Sequence, residues 1–495
     1  MTALSTADQS PGLLEARTLQ EYLDETPVWS NGTRLSMTPM TRMQWRIWWL
    51  AAAGKFFEGA VVFMTGVAMP LISLAFNMSA LQHGLVGAAT LAGILVGALV
   101  FGRLCDHFGR KSVFVLEMAM FVVCLALLVT SSSFTLLVVW LFGIGIALGC
   151  DYPTAHIIIS ETIPSRVRGR MVLSAFGFQA VGALAGTIIG YGVLVTAPGP
   201  DAWRLMFACV IPPALIVVIA RLFVTESPQW LMARGRVEEA ETHAGRLLHR
   251  VPAYPGRVKL RRPERAVSHE VRHSPADLFK PRNLRATILA SVPWFLQDLG
   301  TYGIGIFTPT VLAVLLGNQA SPHAHTIGQV IQAAIPATRA SALIDVMLLV
   351  GILGAVVLAD KVGRIPLQVV GFIGCAAGLG IAALSNDYSG SIQIALIFAG
   401  FMLFNFMTNI GPNAQTYLIA GEVFPTHIRG LGAGFAAGFG KIGAVLTAFL
   451  FPILLADIGT NALLAGLVVT SLIGAVVTWL FRIETKGVNL EDIGH

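Results

Sequence analysis

Eight ionisable side chains stand inside long apolar stretches of this 495-residue chain: Lys55, Glu58, Glu117, Asp151, His156, Asp298, Asp345 and Lys441. A charge at the centre of a membrane helix costs roughly 2.5–3.5 kcal/mol on insertion scales, so each is a functional candidate by default. Asp151 is the most informative, standing in Gly145-Ile-Ala-Leu-Gly-Cys-Asp-Tyr-Pro153. Glycine makes room there, and Pro153 interrupts the helical hydrogen-bond ladder. A carboxyl buried without a fixed cation binds and releases protons near neutral pH. The alternative is a carboxylate paired with a structural cation.

Lys55 and Glu58 are three residues apart on one helical face. They read either as a neutralising pair or, for Glu58, as part of a proton route. Glu117 lies one to two turns from Arg110 and Lys111 and reads as structural. His156 reads as a packed or water-facing imidazole rather than a proton relay, although histidine titrates near neutral pH. Asp345 is expected near the outer end of its apolar stretch.

Trp294, Asp298 and Tyr302 fall at i, i+4 and i+8, one face of a helix. An indole, a carboxyl and a phenol in a row can grip a polar ligand. Gln179 interrupts another apolar stretch, and Asn405 precedes Asn409-Ile-Gly-Pro-Asn413-Ala-Gln415-Thr-Tyr417. Gly411-Pro412 should break that helix and turn freed backbone groups toward a cavity. Lys441 stands in Gly438-Phe-Gly-Lys-Ile-Gly443, with room to move. Carboxyls, a lysine and neutral donors suit a small oxyanion. A protonated aspartate donates to it and an ionised one repels it, so proton and anion travel together.

The elements that must hold these residues are membrane helices. Of the chain, 55% is hydrophobic and 12% charged, against about 25% charged in a typical soluble domain. Twelve apolar runs are long enough to cross ~30 Å of hydrocarbon: 47–72, 83–103, 112–132, 135–158, 171–195, 203–223, 288–314, 341–360, 366–385, 391–416, 431–455 and 461–481. Gly182, Gly186 and Gly190 have the small-xxx-small spacing that lets helix backbones approach. Alternating strands of a β-barrel are not seen. The reading is an all-α membrane protein of twelve helices in two six-helix pseudo-symmetric halves.

Residues 1–46 read as a polar tail with a short helix around Leu13–Leu23. Residues 47–223 form the first bundle, 224–287 a central loop, 288–481 the second bundle and 482–495 the last tail. The five cysteines have no paired spacing, so neither a disulfide framework nor a zinc site is expected. No metal, no cofactor and no enzyme activity is expected, since no nucleophile-base constellation, metal cluster or P-loop is visible. The net charge of +6 does not imply nucleic acid. Of 33 Lys and Arg, 29 fall in the tails and in alternate loops, taken as 103–111, 166–170, 221–285, 361–364, 429 and 482–486. Only Arg204 and Arg339 belong to the other side. This bias places both termini in the cytoplasm, in an inner (plasma) membrane protein.

The halves repeat. Gly102-Arg-Leu-Cys-Asp106-His-Phe-Gly109-Arg110-Lys follows the second run, and Ala359-Asp360-Lys-Val-Gly363-Arg364 follows the eighth. Glu161, Pro164, Arg168 and Gly169 recur as Glu422, Pro425, Arg429 and Gly430. Parallel repeats with a site between them are a transporter architecture. In these loops glycine permits a tight turn, the aspartate can cap a neighbouring helix, and the arginine can pair with a carboxylate. They read as a cytoplasmic latch rather than a substrate site.

These loops resemble the signatures of the major facilitator superfamily. Thr225-Glu-Ser-Pro-Gln-Trp-Leu231 and Glu484-Thr-Lys-Gly487 are similar to sugar-porter signatures. Gly-x-Asp-Tyr-Pro at 149–153, Gln179, the Trp294/Asp298/Tyr302 trio, Gly411-Pro-Asn413 and Lys441-x-Gly443 resemble the phosphate:proton symporters of that superfamily. The resemblance implies phosphate held by Asp151, Tyr152, Gln179, Trp294, Asp298, Tyr302 and Asn413, with Lys441 beside them and Glu58, Asp151 and Asp298 in proton coupling. The chain departs from the family pattern at Val61, where a second aspartate is expected, at the extra charge Lys55, and in a long external segment, 317–340. The expected activity is proton-coupled symport of a small anion, phosphate first, by a monomer in the bilayer. Symport of a sugar, polyol or organic or aromatic acid is the alternative, and a non-transporting nutrient sensor is the alternative from another class.

Overall fold

The structure, a computed structural model, describes residues 16–26, 39–250, 255, 257–261, 274–316, 327–425 and 428–486. The side chains of 100–106, 152, 153 and 314–316 lie outside that description. Ten helices among the described residues are long and apolar enough to cross a membrane. The helix Pro281–Leu316, of 36 residues, adds an eleventh. The twelfth comes from Arg429–Leu480, a run of 52 residues. At 1.5 Å per residue it would span about 78 Å, more than twice the hydrocarbon thickness. It divides at Gly459, whose φ of 77° and ψ of 172° no helix contains.

The spans are α1 Arg42–Phe76, α2 Ala80–Phe108, α3 Arg110–Val129, α4 Phe134–Thr162, α5 Ser165–Thr196 and α6 Ala202–Leu222. The second half holds α7 Pro281–Leu316, α8 Ile327–Val362, α9 Arg364–Leu384, α10 Gly390–Glu422, α11 at 429–458 and α12 at 460–480. Packing repeats between the halves. α1 lies on α5 as α7 lies on α11; α2 lies on α4 as α8 lies on α10; α3 lies on α6 as α9 lies on α12. The halves meet through α5 with α8 and through α2 with α11, which are equivalent contacts under this symmetry.

Local chemistry sets the ends. Thr41 and Gln44 form a reciprocal cap at the start of α1, satisfying two amide donors that a helix start leaves open. α10 breaks at Gly411 (φ −105°, ψ −108°), and a second segment starts at Pro412, as the Gly-Pro pair dictates. The small-residue stripe of α5 brings it against α1. A Cβ on Gly182 would strike the Phe56 carbonyl oxygen, and one on Gly186 the Ala60 carbonyl oxygen.

Three expectations are corrected. α8 begins at Ile327, not near 341, so much of the supposed external segment is helix; residues 317–326 lie outside the described set. Asp345 consequently sits in mid-helix, buried, rather than near an outer end. Arg221 is no loop charge. It closes α6 and is fully buried. In the N-terminal tail the helix is Leu19–Asp24, and residues 1–15 lie outside the described set.

Candidate functional site

α1, α5, α7 and α11 bring a polar cluster together where the halves face each other. Lys441 of α11 donates to the Tyr302 hydroxyl at 2.6 Å and lies 3.4 Å from Asp298 Oδ2, both on α7. Its ammonium also stands over the Tyr302 ring. Tyr302 in turn donates to Glu58 Oε1 of α1 at 3.3 Å. Gln179 of α5 donates to the same Glu58 oxygen at 3.2 Å and to the Tyr302 hydroxyl at 3.0 Å. Lys55, one helical turn before Glu58, bonds its Oε2 at 3.0 Å. Glu58, Asp298, Lys55 and Lys441 are all buried. Two carboxyls and two ammonium groups therefore share one dry site, where unpaired charge would cost several kcal/mol.

A row of neutral groups continues from the cluster into the second half. Gln297 donates to Thr301 at 2.7 Å and to Asn413 Oδ1 at 3.2 Å. Asn413 donates to Asn409 at 2.6 Å, and the Thr301 and Thr408 hydroxyls are 3.0 Å apart. The break at Gly411 sets Asn409 and Asn413 on either side of a helix junction. Trp294 packs against Gly440, the neighbour of Lys441, and meets Tyr417 edge-on. A Cβ at Gly440 would press into the indole at 2.6 Å, so the glycine makes room for the tryptophan.

A second buried network lies on the first half. Arg221 bonds Glu117 of α3 at 2.7 Å and Asp151 of α4 at 3.0 Å, and donates to the Phe114 and Leu50 carbonyls at 2.6 and 3.0 Å. Its guanidinium stacks on the Phe114 ring. One cation thus serves two carboxyls. Glu117 Oε2 and Asp151 Oδ2 meet no partner among the described residues.

The loop motifs form two matching clamps at the basic end of the bundle. Arg110 pairs with Glu161 at 3.2 Å in the first half. In the second, Arg364 pairs with Glu422 at 3.1 Å and with Asp360 at 3.0 Å. Among the described residues, carboxylates from the segments after α6 and α12 cap both helix starts. Glu226 accepts from the Arg110 and Lys111 amides at 3.0 Å each, and Glu484 accepts from the Arg364 and Ile365 amides at 3.0 and 3.1 Å. Gly109 and Gly363, with φ of 96° and 111°, begin those helices in a conformation favoured by glycine. Asp360 reaches Arg170 of the other half at 3.4 Å. Between them a cavity of about 570 Å³ opens, lined by Arg166, Arg170, Asp360, Arg364 and Leu418. Arg168 binds Gln20 of the N-terminal helix, and Arg429 the Phe424 carbonyl.

Of the residues singled out from sequence, Glu58, Gln179, Asp298, Tyr302 and Lys441 meet directly, and Asn413 and Trp294 flank them. Asp151 is held against Arg221, the structural-cation alternative, and Asp298 too meets a base, though inside the cluster. Tyr152, Gly102 and Asp106 lie in helices but have side chains outside the described set. His156 is exposed, edge-on to Tyr417. Sequence reasoning missed Arg221, and it missed Gln297, Thr301 and Thr408. A basic residue closing an apolar run was the signal available for the first.

The family model described as "Sugar (and other) transporter" matches residues 36–495. The chain belongs to this family, within the major facilitator superfamily. Among curated relatives, the chain is 31% identical over 463 residues to the inner membrane metabolite transport protein YgcS of Escherichia coli, covering 93% of this chain and 96% of that one. It is 28% identical over 469 residues to the probable inorganic phosphate transporter 1-12 of Oryza sativa subsp. japonica, covering 85% and 83%. The fold is similar to that of the xylose transporter XylE of E. coli in a partially occluded inward-open conformation, with a TM-score of 0.71, 20% identity and coverage of 91% and 100%. The chain is thus an integral membrane transporter of a small molecule, with its central cluster at the meeting of the two halves.

Proposed function

We propose that this chain is a proton-coupled symporter of a small anion, inorganic phosphate first, working by alternating access as a monomer. Both termini face the cytoplasm across an inner (plasma) membrane, because the basic loops gather at one end. The observation that carries the reading is Lys441 between Asp298 and Tyr302, buried where the halves meet. A lysine there offers charge to an anion, and a carboxyl beside it must gain a proton for that charge to become available. Tyr302, Gln179, Trp294 and Asn413 supply donors for remaining oxygens, with Tyr152 beside them by resemblance. Glu58, Asp298 and the Glu117–Asp151 pair are the groups that hold protons. Similarity to a rice phosphate transporter supports the choice of anion.

Uptake of labelled phosphate into proteoliposomes, with and without an inward proton gradient, tests the reading. Accumulation driven by the gradient and resistant to excess sugars is expected. A second reading, symport of a sugar, polyol or organic acid, is favoured by the neutral row Gln297, Thr301, Thr408, Asn409 and Asn413, which suits hydroxyl groups. Inhibition by a sugar with no phosphate uptake would select it.

A further inference from the structure

The two buried networks approach each other at Lys55 of α1. Lys55 bonds Glu58 in the central cluster, and its chain neighbour Gly54 lies against Asp151 of the other network. The Asp151 carboxyl lies directly over Gly54, the residue before Lys55, where a Cβ would collide with it. Among the described residues, Arg221 from α6 bonds Asp151 and also Glu117 from α3. The buried set comprises the carboxyls Glu58, Glu117, Asp151 and Asp298 against the bases Lys55, Arg221 and Lys441. Among the described groups of these two networks, carboxyls outnumber bases by one, and one proton makes up the difference.

We propose that Lys55 relays the charge of the Glu117–Asp151 pair to the substrate site. With a proton on the pair, Asp151 needs no second cation and Lys55 stays on Glu58, the arrangement seen here. When the proton leaves, Arg221 is shared between two carboxylates, and Asp151 draws the Lys55 ammonium away from Glu58. The ionised Glu58 then turns its charge on Tyr302 and Lys441, competing with a bound anion for the lysine. Proton loss at one network thereby expels the anion from the other. Lys55 is a positioning residue, since it acts through Glu58. The proposal rests on the reading of the chain as a proton-coupled anion transporter.

The test follows the protonated-carboxyl band of the purified full-length protein by infrared spectroscopy across pH, without substrate. Asp151→Asn identifies the part of the band that belongs to the pair. Lys55→Gln removes a nearby positive charge and is expected to move the titration midpoint up by about one unit or more, while Lys55→Arg leaves it in place. Glu58→Gln frees Lys55 for Asp151 and moves the midpoint down, but not in the Lys55→Gln background. An equal shift from Glu58→Gln in both backgrounds, or an unmoved midpoint in Lys55→Gln, would overturn the relay. In proteoliposomes Lys55→Gln leaves Glu58 free to compete for Lys441 and is expected to lose at least about tenfold in phosphate affinity, equal to roughly 1.4 kcal/mol, while Lys55→Arg keeps it. If the wild-type protein moves no phosphate while the infrared shifts appear, the choice of phosphate fails and the relay stands.

Discussion

The Gln179 amide of α5 donates to the Tyr302 hydroxyl of α7 at 3.0 Å. This bond runs from the first half to the second, as does that of Tyr302 to Glu58, and meets the hydroxyl that also receives Lys441. Tyr302→Phe deletes the group on which both donors converge. A hydrogen bond to a charged partner contributes about 1.5–3 kcal/mol, so the KM for phosphate should rise by roughly tenfold or more. Initial-rate uptake kinetics measure this, and an unaltered KM would remove the phenol from the site.

Asp298 and Lys441 divide affinity from coupling. Lys441→Ala takes away the ammonium that meets the anion and should weaken binding by about 10–100-fold, the range for charge-assisted hydrogen bonds. Asp298→Asn keeps the shape and removes the titration, so counterflow should persist while gradient-driven accumulation is lost. Full accumulation by Asp298→Asn would exclude it from proton coupling.

Arg221 holds the first half together. Arg221→Met leaves Glu117 and Asp151 buried without their cation, and breaking a buried pair from one side costs about 3–5 kcal/mol. Thermal unfolding in detergent should show a clear loss of stability. Adding Glu117→Gln should restore part of it, because one fewer carboxyl is then stranded.

Close approach of α1 and α5 depends on glycine. A Cβ on Gly59 would strike the Gln179 carbonyl oxygen, displacing the residue that bridges the halves. Gly59→Val should cost about 1–3 kcal/mol through overpacking and lower the monodisperse fraction in size-exclusion chromatography. A variant that purifies and transports like the wild type would contradict the packing.

At the basic end, Asp24 Oδ1 accepts from the Ser165 amide at 2.7 Å, and Oδ2 accepts from its hydroxyl at 2.9 Å, capping α5 from the N-terminal helix. Asp24→Ala should cost about 1 kcal/mol, the typical worth of a cap, and expose the N-terminal segment to limited proteolysis. Equal cleavage rates in both proteins would show that the cap does not hold the segment.

Part of the site was legible in the residues themselves. Trp294, Asp298 and Tyr302 share a helix face because 3.6 residues make a turn, and a charge in an apolar run announces itself by its cost. Other parts were not. Asp345 was misplaced because Ile327–Val362 continues through polar Gln and Arg residues that look like loop. It is held between Thr187 of α5 and Asn405 of α10, at 2.8 and 3.4 Å. Glu226 and Glu484 take the capping role at Arg110 and Arg364, where the sequence pointed to the loop aspartates, since a cap is defined by which carboxylate reaches the amides in space; the Asp106 side chain lies outside the described set.

Hydrophobic length, the sign of the loops and the repeated motifs by themselves determined the twelve spans, the two halves and the transporter family, because crossing a bilayer constrains composition locally, one helix at a time. Tertiary structure alone decided that Arg221 turns inward to Glu117 and Asp151, 104 and 70 residues away, and that Gly54, beside Lys55, lies against the Asp151 carboxyl. Ion pairing falls off over a few ångströms, and residues distant in the chain reach that separation only when helices pack.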